Sequence, residues 1–267
     1  SLSDNTIYDI CSDKQGRLLV GTFWGGLNVM DMSNPGKFYS SDNIFKGKYA
    51  HDWQIRNVVM YSDNCCLLGT NNGLVAVRLA KDISHSEFKT FLREPGKEKS
   101  LPNNKISRII KENCITYIAT YGGGICKTSC NDFFSEKPEF ESCSRGHNNA
   151  PEAVLMFSAD REGNLWVIGE KSVGKISLRN LVYQNFTHEF SIDDMIFSEA
   201  HPTITSSGMM VLGTTQGITI FDPQRLQTSN YVPPLWINKG RNIKLGADET
   251  TLPLEVSALD YNRNEEI

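Results

Sequence analysis

Phe23 and Trp24 stand side by side immediately after a Gly-Thr pair, Asn71 and Asn72 hold the same offset after a second Gly-Thr, and Tyr121 follows the Ala-Thr of a third such site. Long polar connections add His51, Asp52 and Trp53, then Arg93, Asn103 and Asn104, then His147 and Asn148. Flat apolar rings beside amides and charges suit a pyranose, which offers an apolar C–H face and a rim of hydroxyls. Binding is the chemistry these residue types favour. Each also has a structural alternative: Phe23 and Trp24 as caps on a hydrophobic core, Trp53 as a core residue, and Asn103 and Asn104 as partners for turn backbone.

No reactive centre competes with that reading. The glycines of Tyr121-Gly122-Gly123-Gly124 are not followed by Lys-Ser or Lys-Thr, so they read as a hairpin turn and not as a phosphate cradle; no G-x-S-x-G, H-E-x-x-H or paired C-x-x-C occurs. The five histidines lack metal-ligand spacing, so neither a metal nor a cofactor is expected. Many carboxylates could reach the separation of about 5–10 Å that a glycosidase needs, which keeps a glycoside-acting enzyme as an alternative. Of the seven cysteines, Cys11 and Cys114 fall in apolar strand patterns and read as small buried hydrophobes, and Cys126, Cys130 and Cys143 are close enough in sequence for a bridge.

Bulk properties narrow the partners. With 267 residues, 39% apolar and 22% charged, the chain can bury a core and is not charged enough for disorder. A net charge of −4 without a run of like charges excludes a nucleic-acid surface. No window of 18 apolar residues exists and Ser1 opens a polar segment, so neither a membrane span nor a signal peptide is expected within it.

The elements that must position these side chains follow from a repeat. An apolar run ending in Gly-Thr or its equivalent recurs at Gly21, Gly69, Ala119, Gly169 and Gly213, at intervals of 44–50 residues, the length of a four-stranded propeller blade. Within each unit an apolar strand meets a turn rich in Asp, Asn and Gly, such as Ser158-Ala159-Asp160-Arg161-Glu162-Gly163-Asn164, then a second strand, a glycine turn, a third strand and a weaker fourth. No 11-residue stretch shows 3.6-residue periodicity, so the chain reads as all-β. The expected fold is a β-propeller of about five visible four-stranded blades over residues 1–230, with blades near 1–45, 46–98, 99–148, 149–190 and 191–230. If the innermost strand comes first, the turns after Gly-Thr and the connections between blades share one face. That face collects the candidate ligand-binding set Phe23, Trp24, His51, Asp52, Trp53, Asn71, Asn72, Tyr121 and His147.

The stretch from Asn5 to Thr22, followed by Gly25-Gly26-Leu27, resembles the two-component-regulator propeller repeat, and residues 158–169 are similar to the same pattern with Trp166 in place. Leu19 replaces the usual tryptophan, Ala119 the glycine and Glu170 the threonine, as in divergent repeats. Residues 231–267 resemble the beginning of the triple-tyrosine immunoglobulin-like domain that follows such propellers. The resemblance implies a fragment of the periplasmic sensor region of a bacterial hybrid two-component histidine kinase, with up to two further blades upstream. The implied partners are an oligosaccharide, a neighbouring propeller, the immunoglobulin-like domain and a homodimer mate, with no nucleic acid and no membrane span in this segment. This segment is expected not to be an enzyme, the kinase lying elsewhere in the full protein. A docking scaffold without its own ligand is the first alternative, and a glycoside-acting enzyme the second.

Overall fold

The computed structural model describes residues 1–49, 53–143, 150–190, 196–226, 235–237 and 256–258. The chain divides into two units, Ser1–Leu226 and Gln227–Ile267. In the first, five antiparallel meanders follow one another. Blade 1 contains β1 (Ile7–Ser12), β2 (Arg17–Thr22), β3 (Leu27–Asp31) and β4 (Phe38–Ser40). A five-residue helix, α1 (Ser41–Phe45), leads out of it, begun by a capping box between Ser40 and Asn43 and ended by Lys46 in the left-handed region. Blade 2 contains β5 (Ile55–Met60), β6 (Cys65–Thr70), β7 (Gly73–Arg78) and β8 (Glu87–Phe91); blade 3 contains β9 (Ile106–Glu112), β10 (Ile115–Thr120), β11 (Gly124–Thr128) and β12 (Glu141–Ser142). Blade 4 contains β13 (Met156–Ala159), β14 (Asn164–Gly169), β15 (Ser172–Ser177) and β16 (Tyr183–Asn185). The fifth shows three strands among the described residues: β17 (Thr203–Ile204), β18 (Met210–Thr214) and β19 (Gly217–Phe221). The fold is therefore an all-β propeller arrangement with almost no helix. In the second unit, β20 (Leu235–Ile237) pairs antiparallel with β21 (Val256–Ala258).

Blades pack face to face, and one apolar cluster fills each seam. Leu19, Leu27 and Val29 of blade 1 meet Ile55, Val58, Leu68 and Val75 of blade 2, and Leu67, Leu74 and Ala76 on the other face of blade 2 meet Ile106, Ile109 and Ile118 of blade 3. Tyr117, Ala119 and Ile125 meet Phe157, Leu165 and Val167, and Trp166, Ile168 and Val173 meet Met210 and Leu212. A strand buried on both faces reads as a continuous apolar run, which explains Cys65-Cys66-Leu67-Leu68, all buried. All seven cysteines are free thiols: Cys114 lies exposed in the turn between β9 and β10 and not buried in a strand as expected, and Cys126 faces the seam with blade 2 and Cys143 the seam with blade 4, on opposite sides of one sheet, so the geometry gives them no bridge.

The repeated Gly-Thr has two separate physical reasons. The glycine keeps blades close and does not make the turn: a Cβ on Gly21 would lie 2.6 Å from Ile55 Cγ2 and 2.9 Å from Val58 Cγ2, and one on Gly69 2.9 Å from Ile106 Cγ2. The threonine closes the turn, its hydroxyl donating to the carbonyl of Gly26, Gly73, Gly124 or Gly217 from Thr22, Thr70, Thr120 and Thr214. The left-handed backbone falls on a later glycine, as at Gly73 with φ of 102°. On the opposite side, Asp13 and Asp160 hold their turns by accepting backbone N–H groups, and Asp160 also accepts Trp166 Nε1 at 3.0 Å, so the buried indole is satisfied.

Candidate functional site

The backbone confirms the expected gathering of turns and connections on one face. The residue after each threonine donates to the segment entering its own blade: Phe23 N to Thr6 O, Asn71 N to Gln54 O, and Tyr121 N to Lys105 O. Three of the expected aromatics come together there. Tyr8 stacks on Phe23 with centroids 5.2 Å apart, Trp24 meets Phe23 edge-on at 4.7 Å, and Trp24 stays 65% exposed. Asp4 accepts the backbone N–H of Trp24, and that bond holds the Asp4 carboxyl below its ordinary range while fixing the exposed turn. Tyr121 enters from blade 3.

At the centre stands Arg56 from β5. Its guanidinium carbon lies 5.3 Å from the Tyr8 ring centroid, 5.8 Å from Phe23 and 5.2 Å from Tyr121. Arg56 Nη1 is ion-paired with Glu199 Oε2, and Tyr121 donates its hydroxyl to Glu199 Oε1 at 2.5 Å. Burial, reinforced by that carboxylate, holds the Tyr121 phenol protonated far above its ordinary range. Blades 1, 2 and 3 and the segment entering β17 thus meet at one charged aromatic rim.

Deeper on the axis runs a polar ladder. Asp9, Asn57 and Arg108 occupy equivalent positions, opposite Gly21, Gly69 and Ala119. Asp9 accepts Val58 N at 2.8 Å and Asn57 Nδ2 at 2.5 Å, and Asn57 accepts Ile109 N at 2.7 Å, so β1 is clasped to β5 and β5 to β9. Arg108 donates to His201 Nε2 at 2.5 Å, and that ring lies 3.7 Å from Asp9. Burial opposes the Asp9 charge, but contacts to His201, the Val58 N–H and the Arg108 charge outweigh it and lower its pKa.

The other expected residues that the structure describes do not join the rim. Trp53 is 2% exposed and packs edge-on against Phe45 and Phe88, so its ring offers no surface to a ligand. Asn71 accepts Gln54 N from the segment entering β5, and the N–H of Asn72 donates to Thr70 Oγ1 inside the turn. Asn103 and Asn104 accept the N–H groups of Lys105 and Arg93. His51, Asp52, His147 and Asn148 lie outside the described residues. Sequence reading missed Tyr8, Arg56 and Glu199; the available signal was a polar residue interrupting the apolar first strands, as in Ile55-Arg56-Asn57-Val58. A cavity of about 680 Å³ opens beside Arg93, Pro102, Gly122 and Glu152, but neither Trp24 nor Tyr121 lines it and its one aromatic, Phe140, is buried. It lacks the exposed aromatic plane of the rim. No cluster of three or more metal-ligating side chains exists among the described residues, and no helix among them is long and apolar enough to cross a membrane.

No curated protein matches the chain in sequence. YCF48 from Cyanidioschyzon merolae superposes with a TM-score of 0.57 at 11% identity, over 95% of this chain and 72% of that one. PorZ of the type-IX secretion system of Porphyromonas gingivalis gives 0.56 at 12% identity, over 81% and 32%. The extracellular domain of BT4673 from B. thetaiotaomicron, assigned to a hybrid two-component system, matches over 98% of this chain at 14% identity with a TM-score of 0.45. The chain spans about a third (34%) of that domain. At these identities YCF48 and PorZ speak to the fold alone. Residues 1–24, which contain β1 and β2 of the first blade, match the family model described as "Two component regulator propeller".

Proposed function

We propose that this chain is part of the extracytoplasmic, periplasmic sensor region of a hybrid two-component regulator, and that it binds an oligosaccharide at the rim formed by Phe23, Trp24 and Tyr121. The observation that carries the reading is the rim: a 65% exposed tryptophan beside stacked rings and a half-buried guanidinium, on the face where blade connections converge. The two-component-regulator repeat in residues 1–24 supports the signalling context. Residues 231–267 would begin an immunoglobulin-like domain, and a neighbouring propeller or a second copy would complete the signalling unit.

Energetics favour a site that joins several blades. Moving a two-state population from 1:99 to 99:1 takes about 5.5 kcal/mol of differential affinity, whereas a micromolar ligand has about 8 kcal/mol in all. Most of the binding energy must therefore distinguish the two states, as a site bridging blades 1, 2, 3 and 5 can and a site within one rigid sheet cannot. Catalysis is not assigned to this segment, because the axial carboxylates Asp9 and Glu199 are engaged by Asn57 and Val58 and by Arg56 and Tyr121. Calorimetric titration of an oligosaccharide panel against wild type and Trp24→Ala tests the placement. The expected outcome is about tenfold weaker binding at unchanged stability; equal affinity rejects the site.

One observation favours a docking scaffold as second reading. Ile218 and Ile220 of β19 are 70% and 53% exposed on the face opposite the blade 4 seam. That reading expects concentration-dependent association in sedimentation and no sugar binding.

A further inference from the structure

We infer that the ligand carries an acidic group, a sugar carboxylate of the uronate class, and that it binds by exchanging with Glu199 at Arg56. The inference rests on the rim being the sugar site and goes further, naming the ligand's charge and the contact it breaks. Three features carry it. First, the Arg56 side chain is only 20% exposed and is paired with a single carboxylate among the described residues, that of Glu199, whose own side chain is 37% exposed. Second, the guanidinium is also surrounded by Tyr8, Phe23 and Tyr121, so its place does not depend on Glu199 alone, and it stays preorganised when that carboxylate leaves. Third, Trp24 extends the same aromatic surface to solvent.

A neutral hydroxyl in place of Glu199 would leave a half-buried cation without a counter-charge, which is costly. A carboxylate restores the charge-assisted bonds to Arg56 and the hydroxyl donation from Tyr121. A uronate presents that group at the edge of a pyranose ring whose C–H face can lie on Trp24. The native carboxylate is thus an internal stand-in for the ligand, and its release removes the tie between blade 2 and the segment entering β17, which stays held at His201 by Arg108. Because the Arg56–Glu199 pair links blade 2 to that segment, ligand-free and ligand-bound states differ in one defined contact, the differential interaction that signalling requires.

The test is calorimetric titration of the 267-residue chain with galacturonate and glucuronate, and with galactose and glucose as neutral counterparts. In wild type, uronates should bind about tenfold tighter than the neutral sugars. Glu199→Gln removes the competing internal anion and should tighten uronate binding about tenfold relative to neutral sugars. Arg56→Met should abolish the preference, with thermal unfolding as the folding control for both variants. Equal affinity for uronates and neutral sugars, or uronate affinity unmoved by Glu199→Gln, overturns the inference while leaving the rim as a sugar site. No binding of either class to wild type and Glu199→Gln at millimolar sugar overturns both.

Discussion

Asp9 shows how one side chain can tie two blades together. It accepts two bonds from blade 2, at Asn57 Nδ2 and Val58 N, from a position opposite Gly21. Removing it leaves a buried backbone donor unsatisfied, so Asp9→Ala should cost about 1–3 kcal/mol in urea denaturation at neutral pH. The pH dependence has a definite sign. The folded pKa of Asp9 lies below the ordinary value of 3.8, so its charge stabilises the fold above that value and the contribution is lost as pH falls through the lower folded pKa. The gap between wild type and Asp9→Ala should therefore narrow on acidification below about pH 4. A gap constant from pH 7 to pH 2 would remove the charge from the account.

Among the strands, the informative comparison is Gly21, Gly69 and Ala119 at equivalent positions. Ala119 shows that the site accepts a methyl group where the following blade leaves room, and it packs beside Val154 and Phe157. Gly21 has no such room: the nearest atoms are methyl groups of β-branched Ile55 and Val58, which cannot swing away. Gly21→Ala should therefore destabilise by about 1–3 kcal/mol. Gly69→Ala, whose closest contact is 2.9 Å instead of 2.6 Å, should cost less. Chemical denaturation orders the pair, and a reversed order would contradict the seam geometry.

Across the molecule, stability should be graded. Every residue of β6 is buried and it lies between two filled seams, whereas most of β19 is exposed and packs on one side only. In a stack where each blade contacts its neighbours, end units open first. Native-state hydrogen exchange should find β6 amides protected to the global limit and β19 amides exchanging faster. Glu199→Gln should speed exchange at β18 and β19 without changing β6, because the Arg56–Glu199 pair ties that end to blade 2. Uniform protection in both proteins would argue for a single cooperative unit.

The blade repeat, its strand order, the Asp-rich and Gly-rich turns and the face on which turns gather were all legible in the chain. They are local patterns of apolar alternation, glycine and threonine that any one blade displays by itself. Phe23, Trp24 and Tyr121 were legible for the same reason, as residues at a fixed offset from Gly-Thr. The rim's charge was not. Arg56 and Glu199 are 143 positions apart, and each alone is an ordinary polar residue in a strand or loop. The burial of Trp53 behind Phe45 and Phe88 likewise depends on chain from the helix after blade 1 meeting the last strand of blade 2. Winding successive blades about one axis is what brings such distant side chains within bonding range. Partial desolvation there makes an arginine's counter-charge matter, and no spacing along a single strand encodes it.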